Sequence, residues 1–583
     1  MVRPLSEQDM TMAVVTDSSK RGRSALSFGA LFTFATRSHG HAVASLVIVS
    51  LLAFLPGFFY VPPVDRDEAR FAQATKQMIE SGDYVDIRFQ DFSRYKKPVG
   101  VYWLQATAVQ AGDAVGVPRA LTRIWLYRIP SILGAIGAVL LTYWAALAFV
   151  TRRAALLAGL MLASSMMLSI EARLATTDAV LLAAIVAAMG ALGRAYLAGR
   201  GSYADDKHPL VVPAIFWTAL AGGVLVKGPL ILLFVALAAG ALAVLDRSAR
   251  FLIRLKPLYG LAWMLLLVLP WFIAIVTRSG AAFFSESLGG DLLAKVGGAQ
   301  ELHWGPPGYY FVLFWLTFFP AAMLAPLAVG VVWGARDEPG TRFLLAWILP
   351  SWIVFELVMT KLPHYVLPLY PAIAILIAGA IDRNTLSQSR WWKRSTVWWV
   401  VLTAAGAIAA VAINIIIGQR PGFSAWPLAA AAVIASLFAW WLYDVDGPII
   451  SFLRAAAAAI LVYAALFGAT FPAVPALFPS AQVARAIDPP ECDNPAFVTT
   501  GYFEASIVYL LGTNLRHATG SGAADFLAAG GCRFALVEKS QERAFLARAD
   551  SLGLRYALGS RVEGYNIATG RPVAITIFIG AGS

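Results

Sequence analysis

The sequence predicts an all-α polytopic membrane bundle of about 13 transmembrane helices, closed by a small C-terminal α/β extracytoplasmic domain. Three observations carry that prediction. Charged residues are 14% of the 583, against roughly 25% in soluble proteins, too few to clothe a water-soluble surface. Mean hydropathy is +0.68, and apolar stretches of about 17–25 residues, each able to cross a hydrocarbon core of roughly 30 Å, recur along most of the chain. After residue 478 the pattern changes to short strand-like and helix-like pieces.

Spans fall near residues 41–61, 129–150, 154–170, 178–197, 211–226, 229–245, 258–277, 308–333, 343–360, 363–381, 395–418, 426–443 and 453–472. Residues 1–40 are polar and Ser-rich, and the apolar run after them lacks a small-residue cleavage site, so it reads as an uncleaved first helix. Basic residues gather in alternate loops, including Lys20 to Arg37, Arg152-Arg153, Arg247 to Lys256 and Arg383 to Arg394. The other short loops hold only Arg173, Lys227, Arg278, Lys295, Lys361 and Arg420. The positive-inside rule then places residues 1–40 in the cytoplasm, a structured loop at 62–128 outside, and the tail, 478–583, also outside. Residues 41–475 form the membrane domain. The net charge of +12 suits basic inner loops. No basic stripe is interleaved with stacking aromatics, so nucleic acid is not an expected partner.

In the 62–128 loop, Phe71, Ala74, Met78 and Ile79 recur at helical spacing behind Asp67-Glu68, acids suited to a helix N-terminus, and Gly82-Asp83 ends the pattern. A second amphipathic piece follows Pro98. Its Tyr102 and Trp103 suggest that both pieces lie on the membrane surface as a lid. In the tail, "PAFVTTGY", "CRFALVEK", "VEGYNIA" and "PVAITIFIG" read as strands, with "EASIVYLLG" and "SQERAFLARAD" as helices. Cys492 and Cys532, the two cysteines of the chain, both fall in this exported tail, where an oxidising compartment favours a bridge.

Polar groups collect at the predicted outer ends of spans. "VKGP" puts Lys227 in a turn, which spares a lysine at the bilayer centre a cost of about 2.5–3.5 kcal/mol. "SIEARLATTDAV" brings Glu171, Arg173 and Asp178, "ELHWGPPGYY" brings His303 and Tyr310, and "MTKLPHYVLPLYP" brings Lys361, His364 and Tyr365. Asp65-Arg66-Asp67 has the form of a nucleotide-sugar metal motif, but nucleotide sugars are cytoplasmic and this loop faces outward. A sugar on a polyprenyl phosphate is the donor available there. It needs cations for its phosphate, which Lys96 and Lys97 supply, and a carboxylate for the acceptor, which Asp67 supplies. The plainer reading is that Asp67 caps a surface helix and pairs with Arg70.

The order "DRDEARFAQATKQMIESGDY", "YKKPVGVYWLQA", "RLATTDAV", "LVKGPLIL", "PPGYYF" and "KLPHYVLPLYP" resembles the bacterial 4-amino-4-deoxy-L-arabinose lipid A transferases and the wider protein O-mannosyltransferase-like superfamily with the C-type glycosyltransferase fold. The similarity spans about residues 41–383. It implies a polyprenyl-phosphate-linked sugar as donor and lipid A, lipopolysaccharide core or another glycolipid as acceptor, with no cofactor. It also implies that Asp67 stands at the reaction centre with Glu68 beside it, that Asp178 is the second acidic position, and that Lys97, Tyr365, Arg70 and Lys295 hold the carrier phosphate. Lys227, Lys361, His364 and Tyr310 fall in its recurrent motifs. In the aminoarabinose enzymes a Glu before the motif lysine and a His near position 291 can bind a metal. Here those positions are Lys96 and Asp291, and a protonated Lys cannot ligate zinc, so no metal is expected. Protein O-mannosylation, or transport without chemistry, are the alternatives.

Overall fold

The computed structural model describes residues 27–198, 200, 209–287, 305–487, 494–567 and 569–580. Among the described residues seven helices are long and apolar enough to span a membrane: Ile124–Ala146, Asp178–Ala198, Pro257–Ser279, Pro339–Leu357, Pro363–Asp382, Arg390–Ile416 and Tyr443–Ala473. Four shorter apolar helices accompany them, His39–Phe54, Val211–Lys227, Leu230–Leu245 and Trp426–Trp441. These make an α-helical bundle with a small sheet domain, as the sequence predicts. By length and composition the described residues give seven spans, or eight if one bent pair is a single span, and not the expected thirteen; two of the expected stretches also take another form.

The 308–333 stretch is not one straight span. The Tyr309–Thr317 helix and the following Ala321–Gly334 segment meet at a bend of 110°. Pro320 sits at the break, where its missing N–H cannot continue the ladder. The carbonyls exposed there find other donors: Phe319 O accepts from Met166 N at 3.2 Å, and Pro320 O from Trp399 Nε1 at 2.9 Å. The 154–170 stretch splits likewise into Arg152–Ala163 and Met166–Glu171. Ser164 and Ser165 turn their hydroxyls onto the carbonyls of Leu160 and Leu162 and cap the first piece. Twelve residues rise only about 18 Å, so this helix is a deeply buried plug and not a full crossing.

The 62–128 loop folds as two helices, Asp67–Ser81 and Gly100–Ala114, joined by the hairpin of β1 (Arg88–Phe89) and β2 (Phe92–Ser93). Gly82, in the left-handed region at φ 69°, ends the first helix as the sequence signals. Its apolar face, Phe71, Ala74 and Met78, packs on Tyr102 and on Trp271 and Ile275 of the Pro257–Ser279 helix. Gly100 opens the second helix against the backbone of Leu225, where a Cβ would stand 2.7 Å from the carbonyl oxygen. That approach brings the Lys-Pro motif beside Lys227. The membrane-surface placement expected for the first helix needs correction, because the tail domain covers it.

The tail is a five-stranded sheet in the order β4-β3-β5-β7-β6, with β3 Ala496–Thr500, β4 Arg516–His517, β5 Arg533–Glu538, β6 Tyr556–Asn566 and β7 Arg571–Gly580. β3 runs parallel to β4 and β5, while β7 is antiparallel to β5 and β6. Alternation on β5 sends Phe534 and Leu536 to one core and Ala535 and Val537 to the other. The Gly520–Ala528 helix and the two-residue β4 were not foreseen. Cys532 is disulfide-bonded, and Cys492 lies outside the described residues. The short Ala505–Leu511 helix rests on the loop: Ser506 N donates to Asp65 Oδ1 at 3.1 Å, and Lys76 Nζ donates to Tyr509 O at 3.0 Å. Tail and loop therefore share one end of the bundle.

Candidate active site

At that end lies a cavity of about 310 Å³ bounded by Asp65, Asp67, Glu68, Arg70, Arg94, Lys96, Lys97, Glu171, Asp178, Lys227, His364 and Tyr365. Eight of the eleven residues that the sequence singles out line it together, namely Asp67, Glu68, Arg70, Lys97, Asp178, Lys227, His364 and Tyr365. Loop, span ends and helix starts separated by about 300 positions supply them.

One wall is the turn before the Asp67–Ser81 helix. Arg66 adopts φ 71° and ψ −118°, a conformation that costs a non-glycine residue about 1–3 kcal/mol and survives only where its surroundings impose it. The restraint comes from Glu68. Its Oε1 accepts from Arg128 Nε at 2.7 Å and Ala175 N at 3.0 Å, and its Oε2 from Arg128 Nη2 at 2.9 Å and Val64 N at 2.8 Å. Arg128 spends its remaining donors on the carbonyls of Phe58, Val61 and Pro62. Both side chains are 1% exposed. With its lone pairs occupied, Glu68 holds the turn and has none left for substrate. Asp67, one residue earlier, is exposed to the cavity and has no hydrogen bond or ion pair among the described residues. The Asp67–Arg70 pair of the plainer reading is not formed. Asp65 sits deeper, where burial pushes its carboxyl up to about 6.

The opposite wall joins Asp178, Lys227, Glu171 and His364. Lys227 Nζ donates to Asp178 Oδ1 at 2.6 Å, and Thr177 Oγ1 to Oδ2 at 3.2 Å. His364 stands between the two acids, with Nδ1 3.5 Å from Glu171 Oε1 and Nε2 3.6 Å from Asp178 Oδ1. Tyr365 follows it on the cavity wall. Arg94, which the sequence reading did not select, adds a further cation; it is buried and lies over the Phe71 ring at 5.4 Å. A lone Arg in a loop carries no periodic signal that could have marked it.

Two expected residues stand behind the cavity. Lys361 Nζ donates to the carbonyls of Phe355, Glu356 and Val358 at 3.2, 2.7 and 2.8 Å, capping the Pro339–Leu357 helix. Tyr310 is fully buried beneath it, its ring 5.6 Å from that ammonium. They anchor the segment that presents His364 and Tyr365. Lys295, Asp291 and His303 lie outside the described residues.

The profile of the dolichyl-phosphate-mannose-protein mannosyltransferase family matches residues 44–282. In its fold the chain is similar to ArnT from Cupriavidus metallidurans bound to undecaprenyl phosphate, with a TM-score of 0.72 and 18% identity over 92% of this chain and 98% of that one. The chain therefore shares the fold of ArnT. In sequence it is similar to the undecaprenyl phosphate-alpha-4-amino-4-deoxy-L-arabinose arabinosyl transferases of Erwinia tasmaniensis, at 24% identity over 67% of this chain and 70% of the relative, and of Pseudomonas paraeruginosa, at 27% over 67% and 69%. The matched range 44–282 contains the Asp-Glu, Lys-Pro and Lys-Gly segments of the cavity wall, while Thr360, Leu362, His364 and Tyr365 lie beyond it.

Proposed function

We propose that this protein transfers a sugar from a polyprenyl-phosphate carrier to lipid A, lipopolysaccharide core or a related extracytoplasmic acceptor. The observation that carries the reading is a carboxylate without a partner among the described residues, Asp67, facing Arg70, Arg94, Lys96 and Lys97 in one cavity. Its donor chemistry is supported by the named substrate of the aminoarabinose relatives. In the reaction the anomeric C–O bond breaks, the electron pair leaves with the carrier phosphate, and the acceptor oxygen forms the new bond. Lys97, Arg70 and Tyr365 meet the developing phosphate charge, where fixed donors in a water-poor cleft act most strongly. Asp67 orients the acceptor and, for a hydroxyl, takes its proton.

The sugar is either a pentose such as aminoarabinose or a hexose. Lys96 favours a departure from aminoarabinose, because it puts a cation where the aminoarabinose enzymes carry a glutamate carboxylate. The cavity faces the periplasm of the inner membrane in this reading. Its support is the distribution of basic loops and the disulfide at Cys532, which an oxidising compartment favours, in a domain that touches Asp65. Transport without chemistry is disfavoured by charges that gather at the helix ends and not at mid-bilayer depth.

The test is incubation of the purified protein with radiolabelled undecaprenyl-phosphate sugars and a lipopolysaccharide extract. Label in lipid A or core supports the proposal. Label in protein hydroxyls would point to O-mannosylation, and movement of donor across vesicles without transfer would sink the enzyme reading.

A further inference from the structure

Two cations on the cavity wall meet no carboxylate among the described residues. Arg94 is 9% exposed, and its Nε makes no hydrogen bond there. Its guanidinium lies over the Phe71 ring at 5.4 Å, one helical turn beyond Asp67, while its backbone N–H donates to Ile87 O at 2.8 Å and fixes the segment at the end of the β1–β2 hairpin. Lys96, two residues on, is exposed to the cavity and makes no hydrogen bond or ion pair among the described residues. The acids of the same cavity are engaged by other groups: Glu68 by Arg128, Asp178 by Lys227, Asp65 by Ser506 N and Glu171 by the Thr176 hydroxyl. Asp67 pairs with neither cation. Glu286 accepts from Tyr95 N at 3.3 Å, between the two in sequence, and forms an ion pair with neither. The ring face offsets part of the cost of burying a guanidinium, and the rest of that cost stands until an anion arrives.

We propose that Arg94 and Lys96 form a second anion subsite, separate from the carrier-phosphate site, that receives a carboxylate on the transferred sugar, so that the sugar is of the uronic acid class. The proposal rests on the glycosyltransferase reading and deepens it by naming the class of sugar. The carrier brings one negative charge as a phosphodiester, and Lys97, Arg70 and Tyr365 already face it. With a neutral sugar, Arg94 and Lys96 would remain as like charges in one cavity of about 310 Å³ with nothing to offset them. A carboxylate satisfies both: it takes two parallel N–H donors from a guanidinium fork and a further one from an ammonium.

The chain places this subsite on the sugar and not on the acceptor. Arg94, Lys96 and Lys97 share one short segment between β2 and the Gly100–Ala114 helix, and the sugar is esterified to the phosphate that Lys97 meets. Groups beside Lys97 therefore face the sugar ring. In a single displacement the acceptor enters opposite the departing phosphate, where Asp67 orients it. The subsite acts on recognition, and cleavage of the anomeric C–O bond stays with the residues named above.

The experiment is binding of undecaprenyl-phosphate-linked glucose, aminoarabinose and glucuronic acid to the full chain in nanodiscs of zwitterionic lipid. The expected result is that the glucuronic acid donor binds about tenfold or more tightly than the glucose donor, the worth of one charge-assisted hydrogen bond, and that the aminoarabinose donor binds most weakly. Lys96→Gln and Arg94→Gln should each close that gap by weakening the acidic donor about tenfold while the glucose donor stays within about twofold. Variants that weaken all three donors equally would put the two cations on the carrier phosphate and overturn the proposal. Variants that leave the donors untouched and weaken binding of lipid A would put them on an acceptor phosphate and overturn it as well. Lys96 is exposed, so its variant decides even if Arg94→Gln does not fold. A wild-type chain that binds the three donors alike overturns this proposal alone, whereas one that binds none of them overturns the carrier-lipid reading with it.

Discussion

The two ends of the bundle both concentrate charge, and they use it differently. At the end opposite the cavity, Asp246 follows the Leu230–Leu245 helix, about 24 Å from Lys227 by helical rise. Its carboxylate accepts from Tyr196 Oη at 2.9 Å, Arg200 Nη2 at 2.5 Å and Arg342 Nη1 at 2.8 Å. Three helices are tied there, and no side of the acid is left open. At the cavity end Asp67 has no partner among the described residues, while six cations, Arg66, Arg70, Arg94, Lys96, Lys97 and Lys227, line the same space. Charge alone therefore does not mark the site; a carboxylate with no partner among the described residues, set among cations, does.

The comparison breaks most sharply at Asp67. Asp67→Asn should lower sugar transfer about 10²–10⁴-fold while the melting temperature stays near wild type, since no contact is lost. Radiolabel transfer alongside a thermal melt reads both, and near-normal turnover would end its role at the reaction centre. Its neighbour should behave in the opposite way. Glu68→Ala strands the buried Arg128 guanidinium, a loss of about 3–5 kcal/mol that unfolding in detergent would register first, with transfer falling only as the folded fraction falls or the Arg66 turn relaxes. A Glu68→Ala protein as stable as wild type would mean that the pair does not hold the turn.

Smaller effects sharpen the same contrast. Lys97→Ala should weaken donor binding by the equivalent of one charge-assisted hydrogen bond, about 1.5–3 kcal/mol; titration with the donor lipid checks it, and an unchanged affinity would remove Lys97 from the phosphate site. Asp246→Asn should cost about 1 kcal/mol of stability and leave transfer per folded molecule as it was. Loss of turnover in that variant would show that the two ends are coupled.

Much of the site was legible because its residues sit in short motifs at span ends. A lysine in "VKGP" or an acid in "TTDAV" is conspicuous where everything around it is apolar, and desolvation cost forces such groups to an interface or a cavity. Arg94 and the saturation of Glu68 were not legible. Arg94 has no apolar frame to stand out against, and Glu68 differs from Asp67 only through Arg128, which lies 60 positions away. The Lys-Leu-Pro motif does not by itself show that Lys361 serves its own helix end at Phe355 to Val358. In the tail, the strands with clear alternation were found, whereas the two-residue β4 is too short to show any period.

By itself the sequence determined the solvent in which this chain folds, because 59% hydrophobic residues with 14% charged can be satisfied only in a bilayer, and it determined where polar groups must surface along that chain. Tertiary structure alone decided which of those groups neutralise one another. Glu68 meets Arg128, Asp178 meets Lys227 49 positions away, and the tail closes on the loop through Ser506 and Asp65. Local pattern constrains solvation residue by residue, but an ion pair needs two groups within about 4 Å, and only the packing of distant helices sets that distance.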